Sequence, residues 1–452
     1  MTEIQREPAL ELGRFVAELR LDDVPPSVRE HATDLLLDAI ACALAGEHGE
    51  ETALVASVAE ATGGAGTSTV VGDRQLRAMA GAVLLNGFRI TAVTACDVYS
   101  PADLHTTPEV VPPVLALAEQ RNATGADALR AVIAGLETVV RIARGFDYAE
   151  FRARGWHSPG VVGPFGAAAS TSAILRVNRD VAANALAVAG STAAGTWAAR
   201  GTPTVKFHQA RAGLNGFLSA MLSEAGLEGS GAIFTNPEGG LYVAHAPGDA
   251  ERVVADLGRE WELERISLRL WPGGARVQAP MTAASLMLRD GSVTWEDIER
   301  VRVRVAPAIA TAQAWAHRPT GGFAALASIP YTVAVTLRHG SAAPDRFVAG
   351  AYGDPRMMAF LDQRVVVEGD SEIPTLGASV EVTTKDGTTR SASVDTPKGH
   401  PNSRATRDEL AAKVRECAPR RMALDAVEEL IERVRAIEQE PNLTRILELT
   451  RV

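Results

Sequence analysis

Over roughly the first 260 residues, apolar side chains recur at helical spacing and almost nothing alternates; beyond Arg269-Leu270-Trp271-Pro272 the rhythm changes. Two regimes in one chain call for a helical body and a second unit that mixes strands with helices. Residues 27–45 carry Leu36, Ile40, Ala43 and Leu44 on one helical face, with Pro25-Pro26 ahead and Gly46 behind, the punctuation of a buried helix. Further helices are expected at 77–85, 112–119, 127–143, 166–175, 181–189 and 210–225, and no clear strand before residue 260. A helical stretch at 281–288 follows the change. Then Val301, Val303 and Val305 alternate with arginines, which is the period of a half-exposed strand. Residues 364–368 read as another strand. The runs 380–384 and 388–394 flank Lys385-Asp386-Gly387, a hairpin signal. Helical periodicity returns from Thr406.

At 452 residues the chain exceeds the roughly 250–300 at which single cores stop growing. The expected organisation is a helical domain over 1–269, an inserted smaller α+β domain over 270–402, and C-terminal helices over 403–452 that rejoin the helical domain. The hydrophobic share of 46% and charged share of 22% are ordinary for a globular protein. No window approaches the roughly 18 apolar residues of a membrane span. The opening MTEIQREPALELGRF is acidic and lacks the features of a secretory signal, so a cytoplasmic location is expected. Cys42, Cys96 and Cys417 are scattered, without a CxxC pair, which fits a reduced compartment. A net charge of −10 with no basic stripe argues against a nucleic-acid surface. No phosphate-cradling glycine loop follows a strand and no ligand cluster has metal spacing, so neither cofactor nor metal is expected.

Three segments carry chemistry. Asp97, Tyr99, Asp103 and His105 lie in an irregular stretch just before a helix, where catalytic groups often sit, although aspartates there also cap turns. His105 matters most, since imidazole moves protons near neutrality. His157, in Arg154-Gly-Trp-His-Ser-Pro-Gly, stands where an apolar small-residue helix begins; a structural histidine is its plain alternative. Lys206 and His208, in Val205-Lys-Phe-His-Gln-Ala-Arg211, open another helix. Lys206 is the first of only 4 lysines among 45 basic residues. An ammonium at a helix N-terminus suits a carboxylate or an enolate oxygen.

With LLLDAIACALAG near the start, His105 seven residues before Pro112, GWHSPGVVGPFGAAAS, KFHQARAG, ASIPYTVAV around Tyr331 and TPKGHPNSRATRDELAAKV near the end, the chain resembles the MmgE/PrpD family across nearly its whole length. That family includes 2-methylcitrate dehydratase, cis-aconitate decarboxylase and iminodisuccinate epimerase. The resemblance implies a large all-helical domain with an inserted α+β lid, usually a homodimer, acting without a cofactor. It also implies a cleft site in which His105, His157 and Lys206 are catalytic. Asp97, Tyr99, His208, Arg269, Gln278 and Tyr331 would contact the substrate. Two departures stand out. Where dehydratases and decarboxylases of the family show His-x-x-Asp-x-Asp-Asp, this chain reads Ala92-Val-Thr-Ala95-Cys-Asp97-Val98. Where the family has a lysine three residues before a proline and a histidine six after it, the chain has Arg269, Pro272 and Gln278. The expected activity is a lyase removing water from a small hydroxy-acid. An isomerase or epimerase, a decarboxylase, and a non-catalytic acid-binding protein are the alternatives.

Overall fold

The computed structural model describes residues 7–288, 291 and 293–452, so the first six residues of the acidic N-terminal stretch lie outside the described residues. The body contains α1 (Pro8–Glu18), α2 (Pro26–Ala45), α3 (Thr52–Gly63), α4 (Met79–Ala92), α5 (Thr107–Arg121), α6 (Gly125–Gly145), α7 (Tyr148–Ala153), α8 (Ser158–Leu175), α9 (Arg179–Gly190) and α10 (Thr204–Glu224). At its centre lies α8, of which all 18 residues are buried, packed on α5, α6 and α10. Small side chains make that possible: a Cβ on Gly216 of α10 would collide with the Pro164 carbonyl oxygen of α8.

Several boundaries differ from those expected. The helix expected from 166 starts at Ser158, and that expected from 210 starts at Thr204. Gly160, Gly163, Pro159 and Pro164 weaken the local signal of α8, but its complete burial overrides propensity. The helix expected from 112 starts at Thr107 because the Asp97 carboxylate receives the N–H groups of Thr106 (2.8 Å) and Thr107 (3.0 Å) at its N-terminus. A strand before residue 260 does exist, contrary to expectation: β1 (Ala65–Ser68) bridges to Arg77, which keeps Arg77 extended and delays α4 to Met79.

The smaller unit opens after the short helices α11 (Leu241–Ala244) and α12 (Ala250–Val254). It contains α13 (Ala275–Leu286), β2 (Ile298–Val305), α14 (Pro307–Gln313), α15 (Gly322–Ala327), α16 (Ile329–His339), α17 (Ala349–Tyr352), α18 (Pro355–Arg364), β3 (Val365–Gly369), β4 (Ala378–Thr384) and β5 (Thr389–Val394). The four strands β2 to β5 form one sheet in the order β3-β2-β4-β5, parallel between β2 and β3 and antiparallel elsewhere. Val301, Val303 and Val305 bury one face of β2 in a second core with Tyr331, Met281 and Val380. Gly387, at φ 84°, closes the β4–β5 hairpin, and Asp386 accepts the Thr388 N–H at 2.9 Å. Finally α19 (Arg407–Cys417), α20 (Leu424–Arg435) and α21 (Thr444–Leu449) return to the first core, which takes in Leu410, Val414, Leu430 and Leu447. The protein is mainly α, with a large helical unit and a smaller α+β one. Among the described residues no helix is long and apolar enough to cross a membrane.

Candidate active site

A cleft of about 200 Å³ lies between the two units, with the N-terminal turns of α8, α10 and α13 on its wall. His157 is the N-cap of α8, Lys206 lies in the first turn of α10, and Gly274 with Arg276 opens α13. Three helix N-termini, with Lys206, Arg200, Arg269 and Arg276 against Asp103 in the lining and Glu51 beside Lys206, make the cleft a place for an anion. Trp197, Trp315 and Phe323 add apolar walls, the last two from the smaller unit.

His105 reaches the cleft on a strained loop. Thr94 (φ 54°) and Asp103 (φ 43°) are both left-handed, and a β-branched residue adopts that conformation at a cost of about 1–3 kcal/mol. The Gly273 N–H donates to the Thr94 carbonyl at 3.1 Å and helps to hold it. His105 Nδ1 lies 2.7 Å from the Asp97 carbonyl oxygen. A carbonyl only accepts, so Nδ1 carries the proton and Nε2 keeps a free lone pair for the cleft. Burial, then the Arg269 guanidinium, lowers its pKa to about 4, so the ring is neutral. Arg269 Nη2 stands 3.4 Å from the same Nδ1, where both atoms are donors, and contributes charge rather than a hydrogen bond.

His157 Nδ1 lies 3.0 Å from His208 Nδ1, and Trp197 packs against the His157 ring at 5.5 Å between centroids. Burial, then His208, His105 and Arg152, pushes its pKa well down. Lys206 is 4% exposed and pairs with Glu51 at 3.2 Å, from the turn that opens α3. The neighbouring Glu50 accepts from Tyr352 Oη of the smaller unit at 2.8 Å, so one short turn touches both the cleft ammonium and the opposite wall.

The remaining residues singled out in the sequence lie elsewhere. Asp97 is fully buried, and its carboxylate is taken up by the amides and hydroxyls of Thr106 and Thr107. Tyr99 donates to Glu262 at 3.2 Å inside the helical body. His208 stands behind His157 instead of lining the cleft. Gln278 donates to the carbonyls of Trp271 (3.0 Å) and Gly273 (3.1 Å), bracing the turn that carries Arg269. Tyr331 donates to the Arg346 carbonyl at 2.5 Å within the second core. Arg269 does line the cleft, although it also donates to the carbonyls of Cys96 and, at 3.1 Å, Gly273. Ala95 is buried, and its carbonyl accepts from Lys413 at 2.8 Å.

Sequence reasoning did not find Glu51, Arg200, Arg276, Trp197, Trp315 or Phe323. They come from turns and helix starts that only the fold brings together, and no local motif marks them. Among the described residues no three His, Cys, Asp or Glu side chains converge as metal ligands would.

Fold and cleft together define a mainly helical protein in two units with a cationic pocket between them. Residues 10–252 match the MmgE/PrpD N-terminal domain and residues 271–439 the MmgE/PrpD C-terminal domain. The chain belongs to the MmgE/PrpD family. It is 28% identical to a cis-aconitate decarboxylase-like protein of Aspergillus oryzae, over 97% of this chain and 96% of that one. It is 28% identical to a cis-aconitate decarboxylase of Aspergillus terreus, over 72% of this chain and 71% of the relative. Against the cis-aconitate decarboxylase of Mus musculus it is 27% identical over 81% and 78%.

Proposed function

We propose that this protein is a lyase that acts on a small carboxylic acid by moving a proton beside a carboxylate, with elimination of water from a hydroxy-acid as its reaction. One observation carries the reading: His105 presents an unprotonated Nε2 to a cleft that also holds His157 and Lys206. A neutral imidazole with its other nitrogen tied to a carbonyl is a positioned base. Removing a proton beside a carboxylate leaves an enolate-like charge, and Lys206, with Arg269 near it, offers stabilisation. In elimination the leaving hydroxyl needs a proton, and His157 is the second imidazole in reach of the cleft.

Decarboxylation is the second reading, favoured by what the relatives are named for. It needs no proton on a leaving oxygen, only one returned to carbon, and the same groups serve it. Isomerisation or epimerisation also uses two proton-transfer groups and no leaving group.

Proton NMR of turnover in deuterated water separates these readings. Elimination creates a vinyl signal, epimerisation exchanges a C–H, and decarboxylation shortens the acid. 2-Methylcitrate, citrate, cis-aconitate and iminodisuccinate are the first acids to test. Lys206→Ala should abolish turnover in a protein that still melts cooperatively. Turnover retained by that variant, or no change in any acid with the parent protein, refutes the assignment, the latter result favouring a binding role.

A further inference from the structure

His208 lies outside the cleft, yet it makes an imidazole-to-imidazole contact in reach of it, with Nδ1 3.0 Å from His157 Nδ1. That arrangement has a strict requirement. Two bare Nδ1 atoms at this distance repel, and two protonated ones clash, so a neutral pair must hold one proton between them. The local backbone is built to keep the contact. The His157 N–H donates to the Gly195 carbonyl at 2.9 Å. Gly195 takes φ 155°, and a Cβ there would stand 3.3 Å from His208 Nδ1. His208 is held on α10, two residues after Lys206, so the helix that places the ammonium also places this ring.

We propose that His208 is a positioning residue that, with His157, forms a two-imidazole proton relay between the cleft and solvent; this rests on the proton-transfer reading of the site. In one state His157 donates from Nδ1 to His208, its cleft-facing Nε2 is bare, and His208 carries its proton on Nε2. When His157 Nε2 accepts a proton from the substrate, the Nδ1 proton crosses to His208, whose Nε2 proton passes to water. The substrate keeps the electron pair of the broken bond. Both rings begin and end neutral, and His157 now presents an N–H to the cleft. Run in reverse, the same steps deliver a proton to a leaving hydroxyl or a carbanion. The relay therefore lets one imidazole alternate between acceptor and donor without placing an imidazolium beside the cleft cations. The other titratable or charged groups that bear on the pair are Arg152 from α7, His105 from the loop before α5, and Arg211 on α10 itself. Burial is the main cause that lowers both imidazole pKa values and keeps the rings neutral, with His208 and Arg152 adding to it at His157 and Arg211 at His208.

Two measurements test this. Long-range ¹⁵N NMR on histidine-labelled protein, assigned with His157→Gln and His208→Gln, should show one Nδ1 of the pair protonated and the other bare. Two protonated Nδ1 atoms overturn the relay whatever the substrate proves to be. His208→Gln keeps a hydrogen-bonding partner but cannot pass a proton. It should lower kcat by about 100-fold, change KM by no more than about twofold, and shift the pH profile of kcat. A profile that superimposes on the parent overturns the proposal, as does a loss confined to KM or to melting temperature. Absence of turnover by the parent protein on every acid would instead count against the proposed function, leaving the NMR measurement to decide the shared proton.

Discussion

His105 and Asp97 look alike in the sequence, as two polar residues on one catalytic-looking loop, but the structure separates their work. His105 turns a free nitrogen to the cleft, whereas Asp97 gives its carboxylate to the start of α5 and only its carbonyl to His105. Their variants should therefore fail differently. His105→Gln should lower kcat by about 10²- to 10⁴-fold with melting nearly unchanged. Asp97→Ala leaves the buried Thr106 and Thr107 amides without a partner and should cost about 3 kcal/mol or more in urea denaturation. Equal stability of the two variants would reject this division. The convergence of His105, His157 and Lys206 on one cleft was legible because their residue types are chemically distinctive and each sits at a helix start. Tyr99, Gln278 and Tyr331 were not separable from them, because whether a polar group faces a cleft or a buried carbonyl is decided by chain segments far away.

The elements that fix the cleft are fastened from behind. Lys413 of α19 pairs with Asp38 of α2 and donates to the carbonyls of Ala95 (2.8 Å) and Arg269 (2.6 Å). Burial opposes the ammonium, yet Asp38, Cys42 and Cys417 together outweigh it and raise the lysine pKa. One side chain thus ties the loop before His105 to the strap that carries Arg269. The motifs LLLDAIACALAG and TPKGHPNSRATRDELAAKV meet here through Asp38 and Lys413, 375 residues apart. Lys413→Met should cost about 3–5 kcal/mol, since it leaves Asp38 buried without its partner. Asp38→Asn combined with Lys413→Met should recover part of that loss, and a strictly additive double variant would show the pair to be uncoupled. The elements themselves were largely legible: Val301, Val303 and Val305 announced β2 by alternation. The first turns of α8 and α10 were not: in α8 Pro and Gly weaken a local helix signal that complete burial restores, and α10 begins directly behind Gly201 and Pro203, which read locally as a turn.

At the scale of the whole molecule, one surface and one pH response are open to test. Phe207, Leu218 and Leu222 are 41%, 43% and 47% exposed on one face of α10, within about 80° of arc together with Leu214. Resemblance to the family implies a homodimer; with a second copy on this face, sedimentation should give a dimer that Leu218→Asp shifts toward monomer, and a dimer unchanged in that variant would place the interface elsewhere. The pH response follows from buried neutral histidines. His31 on α2 places Nε2 2.9 Å from the Ile266 carbonyl oxygen, and burial, then Arg404, lowers its pKa from 6.5 to about 4. His105 is lowered to the same value. Between these limits the unfolded chain binds protons that the folded one refuses, so each group removes stability as pH falls, by up to about 1.4 kcal/mol per pH unit. Asp34 works in the opposite sense: burial, then Glu30, raises its pKa to about 6, so the folded state takes that proton first and gains stability on the same descent. Asp34 thus offsets part of the acid loss, to which the lowered His157 and His208 add, and the contribution of one histidine is best read by difference. His31→Asn retains an N–H for the Ile266 carbonyl but does not titrate. Its loss of unfolding free energy between pH 6.5 and 4.5 should be smaller than the parent's by about 2 kcal/mol. Equal losses in parent and variant would mean that His31 is not held neutral in the folded protein.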